Sequence, residues 1–316
     1  MTESGVRQGE SVISLSANVS SATLLSPNLK PLRIRPRKAR LFVSTIKGGE
    51  HMSENLLLVD IGNTCIKLVF ATPDALEASY TLPTRAQHTP DSLGLALLQL
   101  LALRGLKPED MEACAVCSVV PDVYSLFRDA CRKYLGTAPL TFPGDFELDM
   151  VNGYDQPQEV GADRLLAAYA ARQLFPEPAS LISVDFGTAT TFDCVSGRTY
   201  LGGLICPGLF SSRNALAANT AKLPRISLDV TENSAIIGRN TATSMNHGFL
   251  FGFSAMAEGL CERLKAQLPG PVFVVGTGGI AQDLSGICRA FDAIRPDLIP
   301  EGLRLVWNER KARMTS

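Results

Sequence analysis

The apolar residues of this chain fall into short runs cut by glycine, proline and polar clusters, and the first run sets a theme. Leu56 to Asp60 reads as a strand that ends on an acid, Ile61 to Thr64 as a glycine-containing turn, and Cys65 to Phe70 as a second strand. Leucines at helical spacing follow from Ser92 to Arg104 and stop near Gly105. Ala113 to Val120 is apolar throughout, which predicts a buried strand, stopped by Pro121. Tyr124 to Leu135 and Leu165 to Leu174 read as helices, the second terminated by Pro176.

The opening pattern then returns. LLLVDIGNT at Leu56 to Thr64 aligns without a gap on LISVDFGTA at Leu181 to Ala189, sharing Leu, Val, Asp and Gly, and each copy runs into a second strand. One such strand and turn could arise by chance. Two, each opening one half of the regular part, predict a duplicated α/β domain. The boundary falls where FPEPAS breaks the helix. This gives an extension over 1–54, a first lobe over 55–178, a second over 179–308 and a tail over 309–316. A third strand and glycine loop, VFVVGTGG, spans Val272 to Gly279.

The extension differs from the rest: no Asp or Glu occurs from Ser11 through Gly49, and Lys30 to Arg40 reads KPLRIRPRKAR. A targeting peptide, a basic nucleic-acid arm and a disordered addition ahead of a natural start at Met52 all fit that composition. The last is preferred, because Met52 falls just before the first strand.

Composition narrows the chemistry. With 46% hydrophobic and 19% charged residues the 316-residue chain is globular, and a formal net charge of −1 gives no general attraction to nucleic acid or membrane. No apolar stretch reaches the roughly 20 residues that span a bilayer. The eight cysteines are scattered, which suits a reducing cytoplasm, and the Cys114/Cys117 pair sits in what reads as a strand rather than a zinc or redox turn. The three histidines, His51, His88 and His247, lie far apart, so a histidine metal site or a Ser-His-Asp hydrolase is poorly supported. Carboxylates are left to carry any chemistry.

An Asp-x-Gly-x-Thr hairpin suits phosphate. Its glycine removes a side chain that would block the approach, and turn N–H groups and the Thr64 hydroxyl can point at phosphate oxygens. Asp60 can hold a hydrated Mg²⁺ bridging those oxygens, and Lys67 can add a point charge. A plain hairpin with Asn-Thr turn chemistry is the alternative. In the second copy Asp185, Thr188, Thr190 and Thr191 offer hard oxygens for phosphate or a monovalent cation, and an acid straight after LISV needs a cationic or hydrogen-bonding partner. Between the lobes, in Gly161-Ala162-Asp163-Arg164, Asp163 is either a helix cap or a base that takes a hydroxyl proton. Arg164 is either an ordinary ion-pair partner or a carboxylate fork. Gly276 to Gly279 is a weak nucleotide signal, and no G-x-x-x-x-G-K-[ST] loop occurs.

DIGNTCIK, YDQPQEVGADR, DFGTATT, YLGGLICPG, TAKLP and GRNTATSMNHG, in that order, resemble the motif series of type III pantothenate kinases, over about Leu56 to Leu303. The resemblance implies duplicated ribonuclease H-like lobes of the actin–hexokinase–Hsp70 superfamily, with the active site in an interlobe cleft. It implies transfer of phosphate from ATP to pantothenate, the entry step of coenzyme A synthesis. Asp60, Ile61, Gly62, Asn63, Thr64, Cys65, Ile66 and Lys67 would hold the ATP phosphates and divalent cation, and Thr188 would touch ATP. Asp163 would be the proton acceptor. Tyr154, Gly161, Ala162, Asp163, Arg164 and Thr241 would contact pantothenate, and Asp185 a potassium or ammonium ion. A homodimer is implied, with no membrane or nucleic-acid partner. The family has no counterpart to the extension. A kinase for another small acid, or a non-catalytic transcriptional regulator of the same fold, are the alternatives. Intact Asp60, Asp163 and Asp185 favour catalysis.

Overall fold

The computed structural model describes residues 54–220, 222–230 and 234–315. The expectations for the extension and its basic run therefore lie outside the described residues.

The first sheet is built from β1 (Asn55–Ile61), β2 (Cys65–Ala71), β3 (Leu76–Pro83), β4 (Met111–Ser118) and β5 (Leu140–Phe142), in the spatial order β3-β2-β1-β4-β5. β1 is antiparallel to β2 and parallel to β4. Its unbroken apolar run has a simple cause, since both of its faces are covered. Leu57, Val59 and Ile61 join one buried cluster and Leu56 and Leu58 the other. The same alternation separates the two cysteines of β4: Cys114 packs in the first cluster and Cys117 in the second, on opposite faces of the sheet. They share no site.

Helices α1 (Pro90–Leu103) and α2 (Pro121–Ala130) cover one face. Thr89 caps α1, accepting from Ser92 N at 3.1 Å while its own N–H donates to Ser92 Oγ at 3.0 Å, with Pro90 as the first helical residue. Pro121 both ends the apolar stretch and opens α2, because a first-turn residue needs no hydrogen-bonded N–H.

β6 (Val151–Asn152) and α3 (Ala162–Leu174) lead to the second sheet. There β7 (Ser180–Phe186), β8 (Ala189–Ser196), β9 (Thr199–Pro207), β10 (Val272–Thr277) and β11 (Ala293–Ile294) run in the order β11-β10-β7-β8-β9-β6. Without the added edge strand β6 this is the order of the first sheet, with the same antiparallel hairpin and the same parallel neighbour. The chain is thus a pair of duplicated ribonuclease H-like lobes. Helices α4 (Leu209–Ala218), α5 (Thr241–Lys265) and α6 (Ala281–Leu284) belong to this half, and α7 (Leu298–Thr315) ends the chain.

Where the helices pack was not legible in advance. α3 lies against β7 and β8 of the second sheet, whereas α7 lies against β1 and β4 of the first, and the two helices pack on each other. Leu303, Val306 and Trp307 of α7 share a core with Leu56, Leu58 and Ala115. The expected tail at 309–316 is helical through Thr315. Its charged residues have partners: Tyr169 donates to Glu309, Lys311 pairs with Glu112 at 2.7 Å and Arg313 with Glu147 at 2.5 Å. Among the described residues no helix is long and apolar enough to cross a membrane.

Candidate active site

Strand pairing sets the two aspartates at matching positions, each on the central strand of its sheet. Asp60 lies across from Lys67 on β2 and Cys117 on β4; Asp185 lies across from Thr191 on β8 and Thr277 on β10. The hairpin turns close alike, Gly62 N to Cys65 O at 3.0 Å and Gly187 N to Ala189 O at 3.0 Å. Neither glycine takes a left-handed backbone, so tight turning is not their contribution. What they provide is an uncovered backbone at the turn.

The hairpin tips meet, for Thr64 and Thr188 share a hydrogen bond at 2.7 Å between their hydroxyls. Each tip is braced from behind. Thr84 donates to Gly62 O at 2.7 Å, and Ser211 donates to Thr188 O at 2.7 Å. Asn63, Thr64 and Cys65 are exposed, while Ile61 and Ile66 are buried in the core and can offer a ligand only their backbone.

Asp163 enters from the first turn of α3. Gly161 is the N-cap residue and makes no side-chain cap bond, so Asp163 is not the cap. Its Oδ1 accepts from Arg164 N at 2.8 Å, and a Cβ at position 161 would stand 2.4 Å from that oxygen. Glycine is therefore required for this carboxylate pose.

The electrostatics show that the three carboxylates converge. Burial pushes Asp60 up to about 7, with the charges of Asp163 and Asp185 adding and Lys67 opposing. Asp185 is likewise pushed up to about 7, by burial, then by Asp163 and Asp193, again against Lys67. A site that gathers several carboxylates around a single lysine calls for a cation. Lys67 itself forms an ion pair with Asp297, the residue just before α7.

Cation binding can be tested on the donors present. Among the described residues no cluster of three or more His, Cys, Asp or Glu side chains could hold a metal unaided. A divalent ion shared between Asp60 and phosphate oxygens fits that donor set, because Mg²⁺ keeps waters and takes few protein carboxylates. At Asp185 the fit is more direct. Its Oδ1 is buried without a hydrogen-bond partner and packs against Gly278, whose φ is +89° and where a Cβ would lie 2.3 Å from that oxygen.

The remaining predicted contacts lie elsewhere. Arg164 reaches into the second sheet and pairs with Asp193 at 2.7 Å. Tyr154 stands near Tyr200, with ring centroids 6.5 Å apart. Thr241 opens α5 on the wall of an apolar groove of about 720 Å³, whose lining includes Leu216, Met245 and Phe249 but no other predicted site residue. Sequence reasoning missed Asp193 and Asp297. Asp193 carried a signal, since an acid inside the apolar strand Phe192-Asp193-Cys194 needs a partner just as Asp185 does.

Residues 56–263 match the family model of type III pantothenate kinase. A type III pantothenate kinase of Nitratidesulfovibrio vulgaris (strain Miyazaki F) is 57% identical over 262 residues, covering 83% of this chain and 100% of that protein. The protein of that name from Oleidesulfovibrio alaskensis is 53% identical over 82% of this chain and 98% of its own length. Among solved structures, component A of (R)-2-hydroxyglutaryl-CoA dehydratase from Acidaminococcus fermentans is similar at 14% identity and a TM-score of 0.46, covering 83% of this chain and 100% of that one. The ethanolamine utilization protein EutJ of Carboxydothermus hydrogenoformans aligns at 16% identity and a TM-score of 0.42, over 79% of this chain and 89% of that one. With the duplicated lobes and the paired acidic hairpins in place, the match over most of its length makes this chain a member of the type III pantothenate kinase family.

Proposed function

We propose that the protein transfers the terminal phosphoryl group of ATP to the primary hydroxyl of pantothenate, giving ADP and 4′-phosphopantothenate, the first step of coenzyme A biosynthesis. The observation that carries this reading is the pair of matching acidic hairpins whose tips meet through the Thr64 and Thr188 hydroxyls, with Asp60 and Asp185 each feeling the charge of Asp163.

In this reading the Asp60–Lys67 hairpin and Thr188 take the phosphates on turn N–H groups, hydroxyls and the Lys67 ammonium. Asp163 accepts the proton of the pantothenate hydroxyl as its oxygen bonds to the terminal phosphorus and the bond to ADP breaks. Phosphoryl transfer leaves the protein mainly the work of positioning and charge neutralisation. A Mg²⁺ ion with the nucleotide, held by Asp60, would neutralise charge on the transferring group, and K⁺ or NH₄⁺ at Asp185 would compensate charge beside it. Gly161, Ala162 and Arg164, with Tyr154 and Thr241, would bound the pantothenate site.

A homodimer is part of the proposal. Leu216, 39% exposed, lines the apolar groove that Thr241 also lines, and Ile237, 92% exposed, precedes its Gly238, so apolar side chains here are available for a second subunit to cover. Eight free cysteines fit a reducing cytoplasm. The test is ADP release with and without pantothenate, in potassium and then in sodium buffer. Release that depends on pantothenate and is faster in potassium is expected; none in either buffer removes the assignment, and release with other small acids alone redirects it.

A further inference from the structure

Arg164 is held by a part of the second sheet that belongs to neither phosphate hairpin turn. Its Nε donates to Asp193 Oδ1 at 2.9 Å, and its Nη2 lies 2.7 Å from the same oxygen. Tyr200 donates its phenol hydrogen to that oxygen at 2.8 Å, and Thr191 Oγ1 donates to Oδ2 at 3.2 Å. Asp193 is 2% exposed and Tyr200 is fully buried, so the carboxylate depends on these donors rather than on solvent. Arg164 Nη2, although close to Asp193, is buried without a hydrogen bond, and among the described residues Nη1 makes none either.

A free arginine side chain is long and mobile, and fixing it after a ligand arrives weakens binding. Here it is fixed beforehand. A buried aspartate beside the guanidinium would ordinarily compete with a second carboxylate for the same charge. The tyrosine and threonine donors take up part of the Asp193 charge, which leaves Nη1 with attraction for an incoming anion. Burial keeps the Tyr200 phenol protonated, since it is pushed above its usual range by burial first and by Asp193 next, so it stays a donor. Tyr200 also orders the neighbouring segment, its carbonyl accepting from Gly153 N at 2.8 Å beside Tyr154.

We propose that Asp193, seated by Tyr200 and Thr191, is the positioning residue that presets Arg164 for the carboxylate of the acid substrate, and thereby sets the preference for the acid over its neutral analogue. This rests on the pantothenate reading given above. A merely structural Asp193 would affect both ligands alike, whereas a positioning one acts on the carboxylate alone.

The experiment measures Kd by calorimetry, and KM and kcat by ADP release, for pantothenate and for pantothenol, in which a hydroxymethyl group replaces the carboxylate. Asp193→Asn is expected to raise Kd and KM for pantothenate by ~10–100-fold, with kcat and both constants for pantothenol moving less than ~3-fold. Arg164→Gln should reproduce that selective loss, and adding Asp193→Asn to it should cost less than ~3-fold more. Equal losses on acid and alcohol, or fully additive losses in the double variant, overturn the proposal. If Asp193→Asn lacks a cooperative melting transition, Tyr200→Phe, which keeps the ion pair, decides with the same signature at ~3–10-fold. Wild-type protein that binds acid and alcohol equally overturns the carboxylate role alone. Wild-type protein that binds neither overturns the pantothenate reading with it.

Discussion

The two Asp-x-Gly hairpins share a skeleton and differ in what faces each acid. Asp60 faces Lys67 across its strand pair, and Asp185 faces Thr191. The first hairpin therefore carries its own cation, whereas the second holds a buried carboxylate oxygen with no hydrogen-bond partner. In the proposed reading, one side chain per copy divides the labour between a phosphate cradle and a cation seat on a symmetric frame. Both acids are raised to about 7 because each is buried among the other carboxylates, so the difference lies in who neutralises them.

The comparison is tested hardest by removing the acid that belongs to neither hairpin. If the proton leaves through Asp163, Asp163→Asn should lower kcat by ~10²–10⁴ while nucleotide affinity, followed by calorimetry, stays within ~3-fold. Near-normal turnover would hand the proton to a hairpin aspartate and undo the division drawn above. Making the first hairpin resemble the second comes next. Lys67→Thr should raise KM for ATP by ~10–100-fold, the cost of losing a charge-assisted contact. An unchanged KM would mean that the Asp297 pair occupies Lys67 throughout.

Asp185→Asn sharpens the other half. It should abolish the difference between potassium and sodium buffers and lower turnover by about tenfold. The same residue carries a pH signature. Asp60 and Asp185 hold protons in the folded protein up to about 7, while the unfolded chain releases them near 3.8. Between those values the folded state binds more protons, so the ligand-free protein loses stability as pH rises through the window and levels off above about 7. A clear fall in melting temperature from pH 5.5 to 8 is expected, and Asp185→Asn should remove roughly half of it, Asp60 keeping its own share. The smallest effect belongs to Asp297→Asn. Its pair with Lys67 is 39% and 28% exposed, so its loss should shift stability by about 0–1 kcal/mol and turnover by less than ~3-fold.

Much of this frame was legible in the residues. Buried strands announce themselves as apolar runs, so β1, β7 and most of β4 lie where LLLVD, LISVD and ACAVCSVV put them. The ends of α1 and α3 follow from Gly105 and Pro176. What escaped was structure whose pattern depends on distant partners. β3 alternates half-buried and exposed residues at a sheet edge, without a continuous run to read. α5 spans 25 residues yet carries Gly248, Gly252 and Gly259 and a scatter of aromatics, which blurs its helical period. The last turns of α7 carry charges whose partners, Glu112 and Glu147, lie far back in the chain. Asp193 was invisible as a partner for Arg164 because nothing in a linear reading links residues brought together by the packing of α3 on β8.

That exchange of helices governs how the molecule can be made. The face of the first sheet formed by Leu56, Leu58 and Ala115 is closed by Leu166 and Tyr169 of α3 and by Leu303, Val306 and Trp307 of α7, a helix made after both sheets. A first half made alone would have its strands in order but part of one wall of its core missing until α7 is made. A chain cut before Leu298 would therefore leave part of that apolar face uncovered.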